Sequence, residues 1–221
     1  MHVVFAGEMR RCKGICPFYP HIRTMAGTVI GILGSPLAEG NTAKLLQQAL
    51  RGAADAGCTT ETIAVNNLDF QPCMEMMFCR EHETCIMDDD MQAAYGKIRA
   101  ADSIIVATPV MTMGIPGRLK SFMDRCQVFF MAKYVRNEPL VEPARRKTRR
   151  GLFIGISGMK IPEVFVGAKL TAQAFFDIID CPYRDELLIS DMDTIRDIGK
   201  RQDLLDAAYK KGLEIGRHLN P

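Results

Sequence analysis

The chain carries little net charge and no long apolar run. Its 221 residues have a formal net charge of +2, which gives no general attraction to nucleic acid or to an anionic membrane surface. No stretch without a charged residue is longer than the one from residue 103 to 117, which contains two prolines and is too short to span a bilayer. We therefore expect neither a nucleic-acid partner nor an association with membranes.

Two common nucleotide-binding motifs are also absent. No Gly-Lys-Ser or Gly-Lys-Thr ends a glycine-rich loop, as the loop of a nucleotide triphosphatase requires. The chain contains no G-x-G-x-x-G either, which is the fingerprint of a dinucleotide-binding domain. A phosphate-binding loop in this sequence must therefore serve a different ligand.

Eight cysteines occur without the pattern of a secretory signal, because the basic residues near the start follow Met1–Phe5 rather than precede it. In that setting thiols or metal ligands are expected more than disulfides, and we expect a cytoplasmic protein. Cys58, Cys126 and Cys181 fall on or beside predicted core elements, so we expect them to be buried thiols.

The segment Gly34–Thr42 is the most informative part of the sequence. It follows Thr28–Leu33, an apolar run typical of a buried strand, and it precedes apolar residues at helical spacing. A small-residue turn at a helix start presents backbone N–H groups and a favourable dipole to an anion. Ser35, Asn41 and Thr42 add side-chain donors. The pattern suits one phosphate monoester, such as that of FMN, and an ordinary strand-to-helix turn is the alternative.

Strands and helices alternate along residues 26–221. Apolar runs predict strands at 28–33, 59–65, 103–108, 151–156 and 183–189. Helical periods lie between them, and one helix follows the capping aspartates at 88–90. Five βα units predict a doubly wound parallel sheet in an α/β domain of three αβα layers, where ligands bind beyond the carboxyl ends of the strands.

Residues 1–25 lie outside this alternation. They hold no sustained hydrophobic period, and Met25 stands directly before the first predicted strand. We expect an irregular extension or a misassigned translation start. Cys12 and Cys16 are too few ligands for a closed metal site.

Three separated motifs occur in an order that resembles the NADPH-dependent FMN reductase-like flavoproteins. They are Gly34–Thr42, the cysteine segment Pro72–Met91, and Thr108–Val110 continuing to Asp124–Arg125. Their combination resembles the iron–sulfur flavoproteins of that superfamily, found in archaea and anaerobic bacteria, over roughly residues 27 to 219. The resemblance implies a flavodoxin-like sheet of order 2-1-3-4-5 and FMN as the cofactor.

The resemblance also implies which residues hold FMN. At the phosphate they are Ser35, Leu37, Glu39, Gly40, Asn41 and Thr42. Around the isoalloxazine ring they are Pro109, Val110, Met111, Thr112, Met113, Gly114, Ile115, Ser157 and Gly158. Relatives commonly have arginine where Leu37 stands and tyrosine where Met111 stands, so we expect weaker phosphate binding and less rigid stacking. The alternative is that these methionines fill the core and Pro109 only ends a strand.

The cysteine segment departs from the relatives, which carry C-x2-C-x2-C-x5-C. Cys73, Cys79 and Cys85 match, but Met76 replaces the second cysteine. Four interpretations stay open: a [4Fe-4S] cluster on three cysteines, a zinc or iron site that adds His82, a redox-active thiol pair, or free cysteines at a subunit interface.

The resemblance implies an FMN-dependent oxidoreductase. It would take electrons from NAD(P)H or reduced ferredoxin and pass them to a small acceptor such as a quinone or an oxygen species. No residue is an obvious general acid or base, so we expect the chemistry to occur on FMN. The alternatives are a non-enzymatic FMN electron carrier or redox sensor, and a metal-binding protein whose flavin site is degenerate.

Two further segments bear on partners. The basic run 145–150 is interpreted as a solvated turn, or as a contact for the 2′-phosphate of NADPH, an acidic partner or another subunit. The apolar segment Gln127–Tyr134 indicates a subunit interface. Together with the resemblance, it predicts a homodimer or homotetramer.

Overall fold

A computed structural model describes residues 27–220, which contain a five-stranded sheet. The strands are β1 (Thr28–Leu33), β2 (Thr59–Ala64), β3 (Ser103–Pro109), β4 (Arg150–Ile156) and β5 (Tyr183–Ile189). They are all parallel and lie in the order β2-β1-β3-β4-β5. The predicted strands and their order are confirmed, and no predicted strand end is more than one residue from the observed one. The prediction for residues 1–25, with Cys12 and Cys16, lies outside the described residues.

Eight α-helices of the described chain cover the two faces of this sheet. They are α1 (Asn41–Asp55), α2 (Met91–Ala100), α3 (Gly117–Arg125), α4 (Gln127–Tyr134), α5 (Pro143–Thr148), α6 (Val166–Ile178), α7 (Met192–Ile195) and α8 (Gln202–Leu219). Short 3-10 turns occur at Val65–Asn67, Phe78–Arg80 and Ile198–Lys200. One hydrophobic cluster packs α1 and α8 on one face, and a second packs α2, α3, α4 and α6 on the other. The predicted three-layer αβα architecture is therefore confirmed.

The central strand β3 shows why the sequence needs both helical layers. Ile104 and Val106 belong to one cluster, whereas Ile105 and Ala107 belong to the other. Successive side chains of a strand point to opposite faces, so a continuous apolar run is stable only when both faces are covered. The interior of the sheet is thereby closed, and ligands are left with the edge where the loops emerge.

The order of the strands places a crevice between β1 and β3. From β1 the chain moves outward to β2, and it then crosses to β3 on the other side. Loops that follow neighbouring parallel strands diverge at such a switch point and leave room for a ligand. The backbone N–H of Gly34 donates to the carbonyl of Ala107 at 2.8 Å, which ties the start of one loop to the end of β3.

The basic run lies at the opposite edge of the sheet. Arg145 Nε donates to the Asp102 carboxylate at 3.1 Å, just before β3 begins. Arg149 is fully buried and donates to the carbonyls of Ile98 and Ile179 at 2.8 and 2.7 Å. The guanidinium groups of these arginines donate to hydrogen-bond acceptors near the amino ends of the strands. The interpretation as a mere solvated turn is wrong for both of them, and the run is far from the loops predicted to hold FMN.

The apolar segment that predicted a subunit interface is part of the core. It forms α4, in which Val128, Phe129 and Met131 are buried within the described chain. Val128 and Phe129 belong to a core cluster, so burial within the chain accounts for their hydrophobicity, and the subunit interface stays a prediction. Cys58, Cys126 and Cys181 are buried, as predicted. In residues 27–220 no helix has the length and apolar character needed to cross a membrane.

We predict that Gly212→Ala strongly destabilises the fold. A Cβ at Gly212 in α8 would lie 1.7 Å from the carbonyl oxygen of Ala49 in α1, so the two helices would have to separate. Overpacking of this kind costs about 1–3 kcal/mol or more of the free energy of unfolding. Urea unfolding followed by circular dichroism measures it.

Gly96→Ala is the matched control for this prediction. Gly96 lies in α2, and a Cβ there meets no heavy atom within 4 Å. Replacing a helical glycine by alanine normally raises stability by about 0.5–1 kcal/mol. Equal unfolding midpoints for the two variants would contradict the close packing of α1 on α8.

Candidate functional site

The loop between β1 and α1 ends in backbone donors without acceptors. The first helical hydrogen bond of α1 runs from Lys44 N–H to the Gly40 carbonyl at 3.1 Å. The N–H groups of Asn41, Thr42 and Ala43 find no acceptor among the described residues, and no side chain caps the helix. Together with the helix dipole, these amides form a site for an anion.

Two residues of the same loop carry hydroxyls that can donate. Thr42 is only 2% exposed as a residue, and its hydroxyl makes no hydrogen bond with residues 27–220. The Ser35 hydroxyl accepts from the N–H of Leu37 at 3.2 Å, which leaves its proton free to donate. The loop, which we call the phosphate cradle (residues 34–43), therefore fits a ligand rich in acceptors such as a phosphate monoester.

Other predicted phosphate residues have different surroundings. Asn41 Nδ2 donates to the Arg196 carbonyl at 2.8 Å, and its Oδ1 accepts from the N–H of Ile198 at 3.0 Å. Its amide therefore ties the cradle to the segment after α7. Leu37 is 67% exposed and Glu39 is also exposed, and neither brings positive charge to the cradle.

The loop after β3 contains a tight turn in a strained conformation. Met111 and Gly114 exchange two backbone hydrogen bonds of 2.9 and 3.0 Å, and the central residues Thr112 and Met113 have φ of 49° and 62°. Two positive φ values define a type I′ turn, which favours glycine or asparagine. A non-glycine residue held there stores about 1–3 kcal/mol, and such strain concentrates at functional sites.

The turn presents its centre outward. The N–H groups of Thr112 and Met113 have no acceptor within the described part of the chain. Met111 and Met113 are 45% and 38% exposed, so the alternative that these methionines fill the core is wrong. Two free amides and two thioethers form a surface on which a planar ring with polar edges can lie.

Neighbouring elements hold this turn in place. Val110 N–H donates to the Ile156 carbonyl at 2.7 Å, which joins the turn to the end of β4. A Cβ on Gly167, at the start of α6, would lie 2.5 Å from the Met113 carbonyl oxygen. Only glycine lets α6 approach the turn so closely. Pro109 is the last residue of β3, and Ile115 is half-buried against the core.

The third predicted wall follows β4. Ser157 is buried and its carbonyl accepts from the N–H of Met192 at 3.0 Å. A Cβ on Gly158 would lie 2.5 Å from a carboxylate oxygen of Asp193, so the loops after β4 and β5 touch here. Because β1, β3 and β4 are adjacent in the sheet, the loops after these three strands emerge side by side at one edge.

Comparison with known proteins agrees with this geometry. The family profile described as NADPH-dependent FMN reductase matches residues 28–159, more than half of the chain. The chain belongs to the NADPH-dependent FMN reductase family. All three motifs of the sequence resemblance fall inside the matched range, so the resemblance is confirmed.

Several individual proteins are similar to this family member in sequence or in fold. An iron–sulfur flavoprotein of Methanosarcina thermophila is 41% identical over 97 residues, covering 44% of this chain and 51% of that protein. One of Methanocaldococcus jannaschii is 37% identical over 110 residues, covering 50% and 57%. The chain thus spans about half the length of the curated relatives it matches. An NAD(P)H:quinone oxidoreductase from Methanothermobacter marburgensis superposes with a TM-score of 0.61 at 17% identity over 86% of this chain and 97% of that one, which shows the shared fold.

The cysteine segment of this family member does not fit a cubane cluster. Cys73, Cys79 and Cys85 line a cavity of about 460 Å³ together with Met76, which supplies no thiolate. Within residues 27–220 no three His, Cys, Asp or Glu side chains are grouped to hold a metal ion. His82 is exposed and stacks on Phe78 with ring centroids 3.8 Å apart.

The environment of the Cys79 thiol favours its protonated form. Burial raises its pKa above the usual value, and Cys85 and Cys73 nearby raise it further. Cys79 is therefore not activated for nucleophilic attack, which needs the thiolate. The zinc or iron interpretation with His82 is wrong for the arrangement that the structure describes, because no three ligand side chains are grouped within residues 27–220.

A buried ion pair joins the two ends of the cysteine segment. Arg125 is 1% exposed, and its guanidinium donates to the two Asp89 carboxylate oxygens at 2.6 and 2.9 Å. The same group donates to the Gln71 carbonyl at 2.7 Å. Asp124–Arg125 belongs to a recognised motif, but sequence reasoning assigned Arg125 no role. Its pairing with an aspartate 36 residues away is visible only in the fold.

We predict that Asp89→Asn destabilises the protein by about 3–5 kcal/mol, because it leaves the Arg125 charge buried without a partner. Burial alone would raise the pKa of Asp89, but the hydrogen bond from Arg125 lowers it overall. The stabilisation is therefore complete above the usual carboxylate pKa and is lost as pH falls through the depressed pKa of the folded state. Urea unfolding measured from neutral to acidic pH tests both statements.

Asp124→Asn is the control for this prediction, because it neutralises a different carboxylate next to Arg125 in the sequence. Asp124 pairs with Lys120 at 2.6 Å on the exposed side of α3, where such pairs contribute about 0.3–0.5 kcal/mol. The role of the ion pair is refuted if Asp89→Asn costs no more than this control, or if it leaves the acid dependence of stability unchanged.

Proposed function

We propose that this chain is an FMN-dependent oxidoreductase that takes electrons from NAD(P)H and passes them to a small organic acceptor such as a quinone. The phosphate cradle is the observation that carries the proposal. It combines three backbone N–H groups of α1 without acceptors in the described chain with the hydroxyls of Ser35 and Thr42. Membership of the FMN reductase family supports FMN as the ligand.

Each loop has a distinct task in this proposal. The cradle binds the terminal phosphate, and the amides of Thr112 and Met113 donate to the polar edge of the ring. The exposed thioethers of Met111 and Met113 cover one side of the ring and exclude water from it. Bound FMN supplies hydride acceptance and the release of electrons singly or in pairs.

The proposal gives the cysteine segment no part in electron transfer. Two observations support this choice: Met76 in place of a cysteine, and the absence of a grouped ligand set among residues 27–220. Ferredoxin as donor, an oxygen species as acceptor, a homodimer or homotetramer and a cytoplasmic location stay predictions from the sequence. The activity is proposed for a chain that spans about half the length of its curated relatives.

We predict that the apoprotein binds FMN and that Thr42→Val weakens this binding at least about tenfold. A hydrogen bond to a charged group contributes about 1.5–3 kcal/mol, and valine removes the hydroxyl while keeping the shape. Titration of apoprotein with FMN, followed by quenching of flavin fluorescence, measures the dissociation constant. Thr62→Val, on the exposed side of β2, is the control. Folded wild-type protein that leaves FMN unquenched and stays colourless would end the proposal.

We also predict turnover with little bound iron. Protein purified without oxygen and loaded with FMN should oxidise NADPH when a quinone is added. It should contain far less iron and sulfide than the ~4 atoms of each per chain that a cubane cluster holds. Absence of turnover with every acceptor would favour a non-enzymatic electron carrier. Stoichiometric iron and sulfide would show that the cysteine segment takes part after all.

A further inference from the structure

The segment Arg196–Ile198, between α7 and α8, lies directly against the first turn of α1. Asn41, the first residue of α1, bonds to the backbone of both Arg196 and Ile198. One turn later, Lys44 forms an ion pair with Asp197 at 2.7 Å. Three contacts from two residues therefore fix this segment beside the phosphate cradle.

The cradle itself supplies no free positive side chain. A phosphate monoester carries a charge of about −1.5 to −2 at neutral pH. Lys44 is the nearest cation in sequence, but Asp197 neutralises it, and Leu37 is apolar. Glu39 adds a negative charge to the same loop. The amides and hydroxyls orient a phosphate but leave most of its charge uncompensated.

Arg196 is placed to supply the missing charge. Its carbonyl oxygen lies 2.8 Å from Asn41 Nδ2, and its N–H donates to the Met192 carbonyl at 2.7 Å. All its hydrogen bonds within the described chain are made by the backbone, so the guanidinium is left unpaired and the residue is exposed. The side chain begins beside the first residue of α1, and the planar fork of an arginine matches two phosphate oxygens.

The backbone of Arg196 is consistent with a binding role. Its φ of 58° and ψ of −52° lie in a region that favours glycine. Holding another residue there costs about 1–3 kcal/mol. Glycine would remove this cost, so the arginine side chain is retained at a position where the backbone disfavours it.

We propose that Arg196 binds the phosphate of FMN and supplies the positive charge that position 37 lacks in this chain. The inference rests on the proposed function, because it needs FMN in the cradle. It differs from the sequence-based expectation, in which the arginine charge was absent and the backbone with Ser35, Asn41 and Thr42 supplied most of the binding.

The test compares FMN with riboflavin, which has the same ring and no phosphate. Dissociation constants for both are measured by fluorescence quenching on wild-type protein, Arg196→Gln and Arg196→Lys. Loss of a charge-assisted hydrogen bond should weaken FMN binding at least about tenfold in Arg196→Gln. Riboflavin binding should not change, and Arg196→Lys should recover part of the affinity for FMN.

Lys200→Gln is the matched control, because it removes one positive charge from the same segment. Lys200 lies four residues from Arg196 and is exposed as well, so each substitution removes one exposed positive charge. Lys200→Gln should weaken FMN binding much less than Arg196→Gln. Thermal unfolding of each variant establishes that it is folded before the binding constants are compared.

The outcomes separate this inference from the proposed function. Wild-type protein that binds neither flavin overturns both. Tight FMN binding that is unchanged in Arg196→Gln overturns the role of Arg196 alone. The same holds if Arg196→Gln weakens FMN and riboflavin equally, or if Lys200→Gln causes an equal loss.

Discussion

The first N–H groups of α1 cannot be satisfied by the helix that they open, and the candidate site depends on this constraint. No side chain caps this helix, and residues 27–220 provide no acceptor for its first three amides. Ser35 and Thr42 in the adjoining loop carry hydroxyls with donor capacity to spare. In a strand-to-helix unit with ordinary caps, side chains of the protein itself would accept these hydrogen bonds. In the proposed function an anion accepts them, and membership of the FMN reductase family makes the phosphate of FMN the natural candidate.

Close backbone contacts build the remainder of the cleft. Gly167 lets α6 approach the carbonyl of Met113, and Gly158 lets Asp193 reach the loop after β4. The type I′ turn between these contacts holds Thr112 and Met113 at positive φ. Because packing on both sides imposes this conformation, the turn is rigid where a ring would rest. A rigid surface loses little conformational entropy on binding, which favours a defined orientation of the ligand.

The cysteine segment departs from the four-cysteine motif of the relatives, yet protein contacts fix its two ends. Arg125 and Asp89 form a buried pair at the end of this segment, and Arg125 also contacts the Gln71 carbonyl at its start. Met76 stands at the position of one cysteine, and the cavity wall is rich in thioethers. The relatives are named iron–sulfur flavoproteins, whereas this segment offers three thiols.

The sequence by itself determined the strands and predicted the phosphate loop, because these follow from local hydrophobic period and from the backbone chemistry of a helix start. The order of the strands was implied by the resemblance to a known family. The sequence also predicted that Thr112, Met113, Ser157 and Gly158 lie at the same edge of the sheet, since the loops that follow parallel strands all emerge there. Only the tertiary structure decided that Val128 and Phe129 are core residues, that Arg149 is buried, and that Arg196 lies beside Asn41. These facts depend on contacts between residues up to 155 positions apart, which no local pattern encodes.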